Sequence, residues 1–221
     1  MPPLRRSSVV SQAAATRTFE VRHVQLARAF FAALAAVMIT FTPDHSAAVG
    51  LSVFSGFAMA TGIVLLLAAW LVRPGGRRAP AVALGVVTIL AGMVGGLGGI
   101  RSITLFFVLV IAWALLAGVV ELVAGVRARR RGDAAARDAV FIGALTILLA
   151  VGLLLVNPAY SLEYFIKEAG ATFELTGISI GVGIFGAYAA IVAVFLGIAG
   201  FSPRPAVATA DDLTASAGES A

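Results

Sequence analysis

Residues 141–161 read FIGALTILLAVGLLLVNPAYS, an unbroken apolar run that stops before a proline, with a serine three residues beyond it. The run has about the length that crosses a bilayer as a helix, roughly 20 residues. A helix is also the form that bonds every backbone N–H and C=O within its own segment, as lipid requires. Pro158 biases Asn157 away from helical backbone and so ends the run. Ser161 then stands where it would cap a following helix by accepting a backbone N–H. The same punctuation closes an earlier apolar run, where residues 42–46 read TPDHS.

Six runs of this kind lie near 25–43, 48–72, 80–100, 103–126, 139–157 and 175–200. They predict an all-α polytopic membrane protein with six transmembrane helices. The composition agrees. Of 221 residues, 60% are hydrophobic and 12% charged, against about 25% charged in a soluble domain.

The chain has no cysteine and only two histidines, His23 and His45. Disulfides, thiolate metal sites and cysteine nucleophiles are excluded, and a His-rich metal or haem site is not expected. Nor is there a Ser/His/Asp set, an H-E-x-x-H motif or a paired-carboxylate arrangement. No catalytic residue, cofactor or metal is expected, and the chain is read as not an enzyme.

The net charge of +5 is explained by where the charge lies. Arg5, Arg6, Arg17, Arg22 and Arg28 precede or open the first span. Arg73, Arg77 and Arg78 follow the second, Arg127, Arg129, Arg130, Arg131 and Arg137 follow the fourth, and Arg204 lies in the tail. One side thus collects 14 basic residues and the other two, Arg101 and Lys167. The positive-inside rule places the larger set, and both termini, in the cytoplasm. A nucleic-acid partner is then unnecessary. Residues 1–23 read as a basic cytoplasmic leader, 24–202 as the membrane domain and 203–221 as a disordered cytoplasmic tail.

The punctuation repeats. Setting Pro158 over Pro43 places Ser161 over Ser46 and GALTIL (143–148) over RAFFAA (28–33). GVVTIL (85–90) precedes GALTIL by 58 residues, and its run ends in GGIRS (98–102), which has the serine but no proline. Ala58-x-x-x-Gly62 recurs as Ala114-x-x-x-Gly118 and, more weakly, as Gly186-x-x-x-Ala190. These matches predict three repeated helical hairpins, 25–72, 80–126 and 139–200. The third carries an outer insertion, 162–174, LEYFIKEAGATFE. A single helix from Ser161 to Gly200 would be about 60 Å long, twice the roughly 30 Å hydrocarbon core. The insertion is therefore expected outside, as a short interfacial helix supported by Glu163 and Lys167 at i,i+4, with Gly170 as a break.

The pattern, and AWALLAGVVELVAGVRARRRG (112–132) in particular, resembles the short-repeat membrane domain of HdeD-like proteins. The family form is a helix ending at proline, a turn, and an aromatic-small-glycine helix ending in basic residues. Here Trp113, Gly118, Arg127 and Arg129 carry it. The resemblance covers residues 24–202. The middle hairpin departs by lacking the proline and the third by its insertion. The resemblance implies a role in bacterial acid or envelope stress resistance.

Three charged residues stand out as intramembrane candidates. Glu121 lies six residues before Arg127, about 9 Å inside the cytoplasmic end of its helix. An ionisable group there is a functional hypothesis by default. Its alternatives are a structural pair with Arg28, at a comparable depth, and proton or ion handling. Arg101 opens the fourth span, either as a membrane-boundary residue or as a site for an anion or lipid headgroup. Glu163, Glu168 and Glu174 form an outer acidic group, read as solvated charge with acid sensing as the alternative, and His45 is read as solvated. The small residues Ala58, Gly62, Gly92, Gly96, Ala114, Gly118, Gly177 and Gly181 are read as helix-packing faces. The expected partners are the lipid bilayer and either a second copy or another membrane protein. Three functions remain: a non-enzymatic stress protein, a proton or small-solute transporter or channel subunit, and an assembly subunit for another membrane protein.

Overall fold

The computed structural model describes residues 20–72, 78–133, 136–167 and 170–202. Six helices follow in order: α1 Val21–Phe41, α2 Ala47–Leu71, α3 Ala79–Gly96, α4 Ile103–Arg129, α5 Ala136–Leu154 and, after two strands, α6 Gly177–Phe201. All six are long and apolar enough to cross a membrane. Their outward side chains are large and apolar, including Phe30, Phe41, Trp70, Leu155 and Phe201, each more than half exposed. So continuous an apolar surface belongs in lipid, and the chain is a multi-pass integral membrane protein. The leader through residue 19, Arg73, Arg77, Glu168 and the tail with Arg204 lie outside the described residues. Residues 21–23, counted with the leader above, belong to α1.

Short side chains set the helix starts. Ser46 accepts from the Val49 amide at 3.4 Å and Ser102 from the Leu105 amide at 3.1 Å, as the punctuation predicts. Pro80 lies in the first turn of α3, where its missing N–H costs nothing. Arg127 and Arg129 occupy the last turn of α4 and complement its dipole. Ser46→Ala and Ser102→Ala should each lower stability by about 1 kcal/mol. Thermal unfolding in detergent should register each as a shift of about 2–4 °C.

The third predicted cap is corrected. Ser161 begins strand β1 (Ser161–Ile166), which pairs antiparallel with β2 (Ala171–Thr176). The insertion is a β-hairpin, not an interfacial helix, and Glu163 pairs across it with Glu174 rather than along a helix with Lys167. Alternation explains the outcome. Leu162 and Tyr164 on β1 face Leu175 and Phe173 on β2, and the Tyr164 and Phe173 rings stack at 6.1 Å. Gly170 ends the turn with φ +60°, which glycine adopts freely. The cap of α6 is Thr176, whose hydroxyl accepts from the Ser179 amide at 3.2 Å.

NPAYS is a tight turn beneath this hairpin. Asn157 accepts the Ala159 amide on its side chain and the Tyr160 amide on its carbonyl, each at 3.0 Å. The Gly177 amide then donates to the Tyr160 carbonyl at 2.7 Å. A Cβ at Gly177 would collide with the Asn157 carbonyl, so the first residue of α6 must be glycine for the turn to dock.

Burial recurs at fixed spacing. Gly85, Thr88, Ala91, Gly92 and Gly95 are buried on α3. Ala29, Ala32, Ala35, Ala36 and Ile39 on α1 stand 56 residues earlier, and Gly143, Thr146, Leu149, Ala150 and Leu153 on α5 stand 58 later. This register aligns Gly143 with Ala29, one residue away from the Arg28 match that the prolines suggest. On the other three helices Phe57, Ala58 and Leu65 correspond to Trp113, Ala114 and Glu121, and to Tyr188, Ala189 and Leu196, all buried.

The sequence hairpins are not the packing units. The closest helix pairs are α2 with α3, α4 with α5, and α1 with α6. Glycines make these approaches. A Cβ at Gly62 would come within 2.9 Å of the Gly85 carbonyl, and one at Gly118 within 3.0 Å of the Gly143 carbonyl. Gly92 packs on Met59 and Ser55, Gly96 on the Ser55 hydroxyl, and Gly181 on Phe106 and Phe107. Ala58 and Ala114 are fully buried in the core.

Candidate functional site

One end of the bundle, the basic face, carries the described arginines Arg22, Arg78, Arg127, Arg129, Arg130, Arg131 and Arg137. Just inside it, α1 and α4 bring Arg28 and Glu121 together. Arg28 donates through Nη1 to Glu121 Oε1 at 2.7 Å and through Nη2 to Oε2 at 3.2 Å. This is the two-pronged geometry that makes arginine–carboxylate pairs strong and directional. The two side chains are only 14% and 9% exposed. A pair this buried has given up most of its hydration and depends on its geometry for compensation.

One turn before Arg28, Gln25 donates to Asp138 Oδ2 at 2.6 Å. Asp138 lies in the first turn of α5, where a carboxylate suits the helix dipole. A cavity of about 90 Å³ lies among Gln25, Arg28, Leu65, Glu121, Asp138 and Leu196. Deeper in the bundle, a cavity of about 10 Å³ is lined by Arg28, Thr61, Thr88, Trp113, Glu121 and Tyr188, among others. Arg28 and Glu121 line both cavities and stand between them.

Beyond the inner cavity the bundle is closed by rings. Phe57, Trp113 and Tyr188, at corresponding positions of α2, α4 and α6, form a near-equilateral triangle with centroids 6.0, 6.2 and 6.5 Å apart. Phe54 packs edge-on against Trp113 at 5.2 Å, and Phe185 packs edge-on against Phe57 at 5.7 Å and stacks on Tyr188 at 6.3 Å. The polar ring atoms are bonded: Trp113 Nε1 donates to Thr88 Oγ1 at 3.2 Å, and Thr146 Oγ1 shares a hydrogen bond with Tyr188 Oη at 3.0 Å. Where α2 has phenylalanine, whose ring carries no polar atom, α1 has Ala32 in place of the threonine.

Of the predicted charged candidates the structure joins two and separates the third. Arg101 lies at the opposite end of α4 from Glu121, some 30 Å along the helix, with Nη2 only 3.5 Å from the Gly96 carbonyl. Gln25, Asp138, Thr88, Thr146, Trp113 and Tyr188 join the site without belonging to any of the charged or small-residue patterns of the sequence. The threonines do carry a readable signal, because each holds the same place in GVVTIL and GALTIL. Among the described residues, no group of three His, Asp or Glu side chains is placed to hold a metal.

Comparison with protein-family models, with curated proteins and with solved structures gives no match.

Proposed function

We propose that this chain is a non-enzymatic protein of the bacterial cytoplasmic membrane, HdeD-like in kind, that contributes to acid or envelope stress resistance. In this reading the Arg28–Glu121 pair is the responsive element. One observation carries it. The place of Glu121 is filled in the other two corresponding helices by Leu65 and Leu196, and the place of Arg28 by Leu84 and Ile142. The architecture therefore closes with leucine or isoleucine at these positions. A buried charged pair that packing does not require is there for another reason. The distribution of arginine supports an orientation with the basic face and both termini in the cytoplasm, which puts the pair within reach of cytoplasmic protons.

Transport of a proton or small solute is the second reading. The polar residues leading inward from Asp138 favour it. The layer of rings beyond Tyr188 opposes it, because a carrier needs access from both faces.

Deleting the gene should lower survival after an acid shock, with survival restored by the wild-type chain on a plasmid. Equal survival of deletion and parent strains would remove the stress reading. Proton or solute flux in proteoliposomes would instead favour transport.

A further inference from the structure

The inner cavity has a specific chemistry. Thr61 is 5% exposed, and its hydroxyl is buried without a hydrogen-bond partner. Arg28 Nε, the guanidinium nitrogen that makes no bond to Glu121, is likewise buried without one. Both residues line the same cavity of about 10 Å³. That is about the space one water molecule needs. A buried donor and a buried hydroxyl left unsatisfied would each cost on the order of 1–3 kcal/mol. Native interiors rarely leave such groups unpaired.

We propose that this cavity is a water site, holding one molecule that accepts from Arg28 Nε and bonds to the Thr61 hydroxyl. It forms the inner end of a vestibule hydrated from the basic face only. Its outer part is the cavity of about 90 Å³ bounded by Gln25 and Asp138. The ion pair stands at the boundary between the two. On the far side, the Phe57, Trp113 and Tyr188 rings and the fully buried Phe54 and Phe185 seal the bundle. Glu121 therefore exchanges with solvent from one side of the membrane and not from the other. This assignment rests on the cavity and the two orphaned atoms, and holds whatever physiological role the pair serves.

Two measurements on the full-length chain test it. Thr61→Val keeps the shape and removes the hydroxyl. With a bridging water, it should lower Tm in detergent by about 2–4 °C. A dry cavity gives the opposite sign, because valine then removes an unsatisfied buried hydroxyl. Thr61→Val melting at or above wild type would overturn the site. The second measurement uses the absence of native cysteine, which makes Thr61→Cys the only thiol. Silver ion is small enough to follow water, and it should consume that thiol only when added at the basic face, the face marked in separate, identically prepared vesicles by the single variant Arg130→Cys. Reaction from the opposite face, or from neither, would overturn the one-sided vestibule. If Thr61→Val does not fold, the silver result decides alone.

Discussion

Glu121→Ala should abolish most of the folded protein, and Arg28→Leu with Glu121→Leu should bring it back. Alanine leaves the Arg28 guanidinium buried opposite nothing, since both Nη atoms now bond Glu121. Breaking a buried pair from one side costs about 3–5 kcal/mol. Against a typical total stability of about 5–15 kcal/mol, that is enough to empty the folded state of a marginal protein. Replacing both partners removes the stranded charge. The leucines are the architecture's own choice, because Leu84 fills the place of Arg28 and Leu65 and Leu196 that of Glu121. The double variant should therefore melt within a few degrees of wild type or above it. Size-exclusion yield and thermal unfolding in detergent measure both steps. A Glu121→Ala chain as stable as wild type would show that the pair is not buried as described.

The second large effect belongs to the α4–α5 contact. Gly143→Val should separate the two helices, because even a single Cβ there collides with the backbone of Leu122, which cannot rotate away. Overpacking a core typically costs about 1–3 kcal/mol, and a backbone obstacle puts this substitution at or above the upper end. The displacement would also pull Asp138, at the start of α5, away from Gln25. Gly98→Ala is the control, since nothing lies within 4 Å of its added carbon. Thermal unfolding should show a large loss for the first and almost none for the second. Equal values would mean that the close approach of α4 and α5 is not what holds them.

Much of the fold was legible because lipid leaves few choices. An apolar run of bilayer length must be a helix, and six of them were bounded to within a few residues by proline, serine and arginine. Arg28 and Glu121 could be paired in advance because their depths match. What could not be read was which helices touch. Hydropathy is nearly uniform around these helices and carries no neighbour information. The close pairing of α1 with α6 rests on fits such as Leu26 against Gly200 and Ile39 against Gly186, which link distant positions. Gln25 with Asp138 escaped for the same reason, being separated by 113 residues. In the insertion two local signals compete. Glu163 and Lys167 suit a helix, but the alternation of Leu162 and Tyr164 with Phe173 and Leu175 is the stronger signal, and it has period two.

The central claim is that the Arg28–Glu121 pair serves function where leucine would serve the fold. It is tested by acid-shock survival of a deletion strain carrying Arg28→Leu with Glu121→Leu, at membrane levels matched to wild type by immunoblot. The account predicts survival no better than the deletion. Full protection by the double variant would contradict it, and would leave the pair as one more way of filling the core.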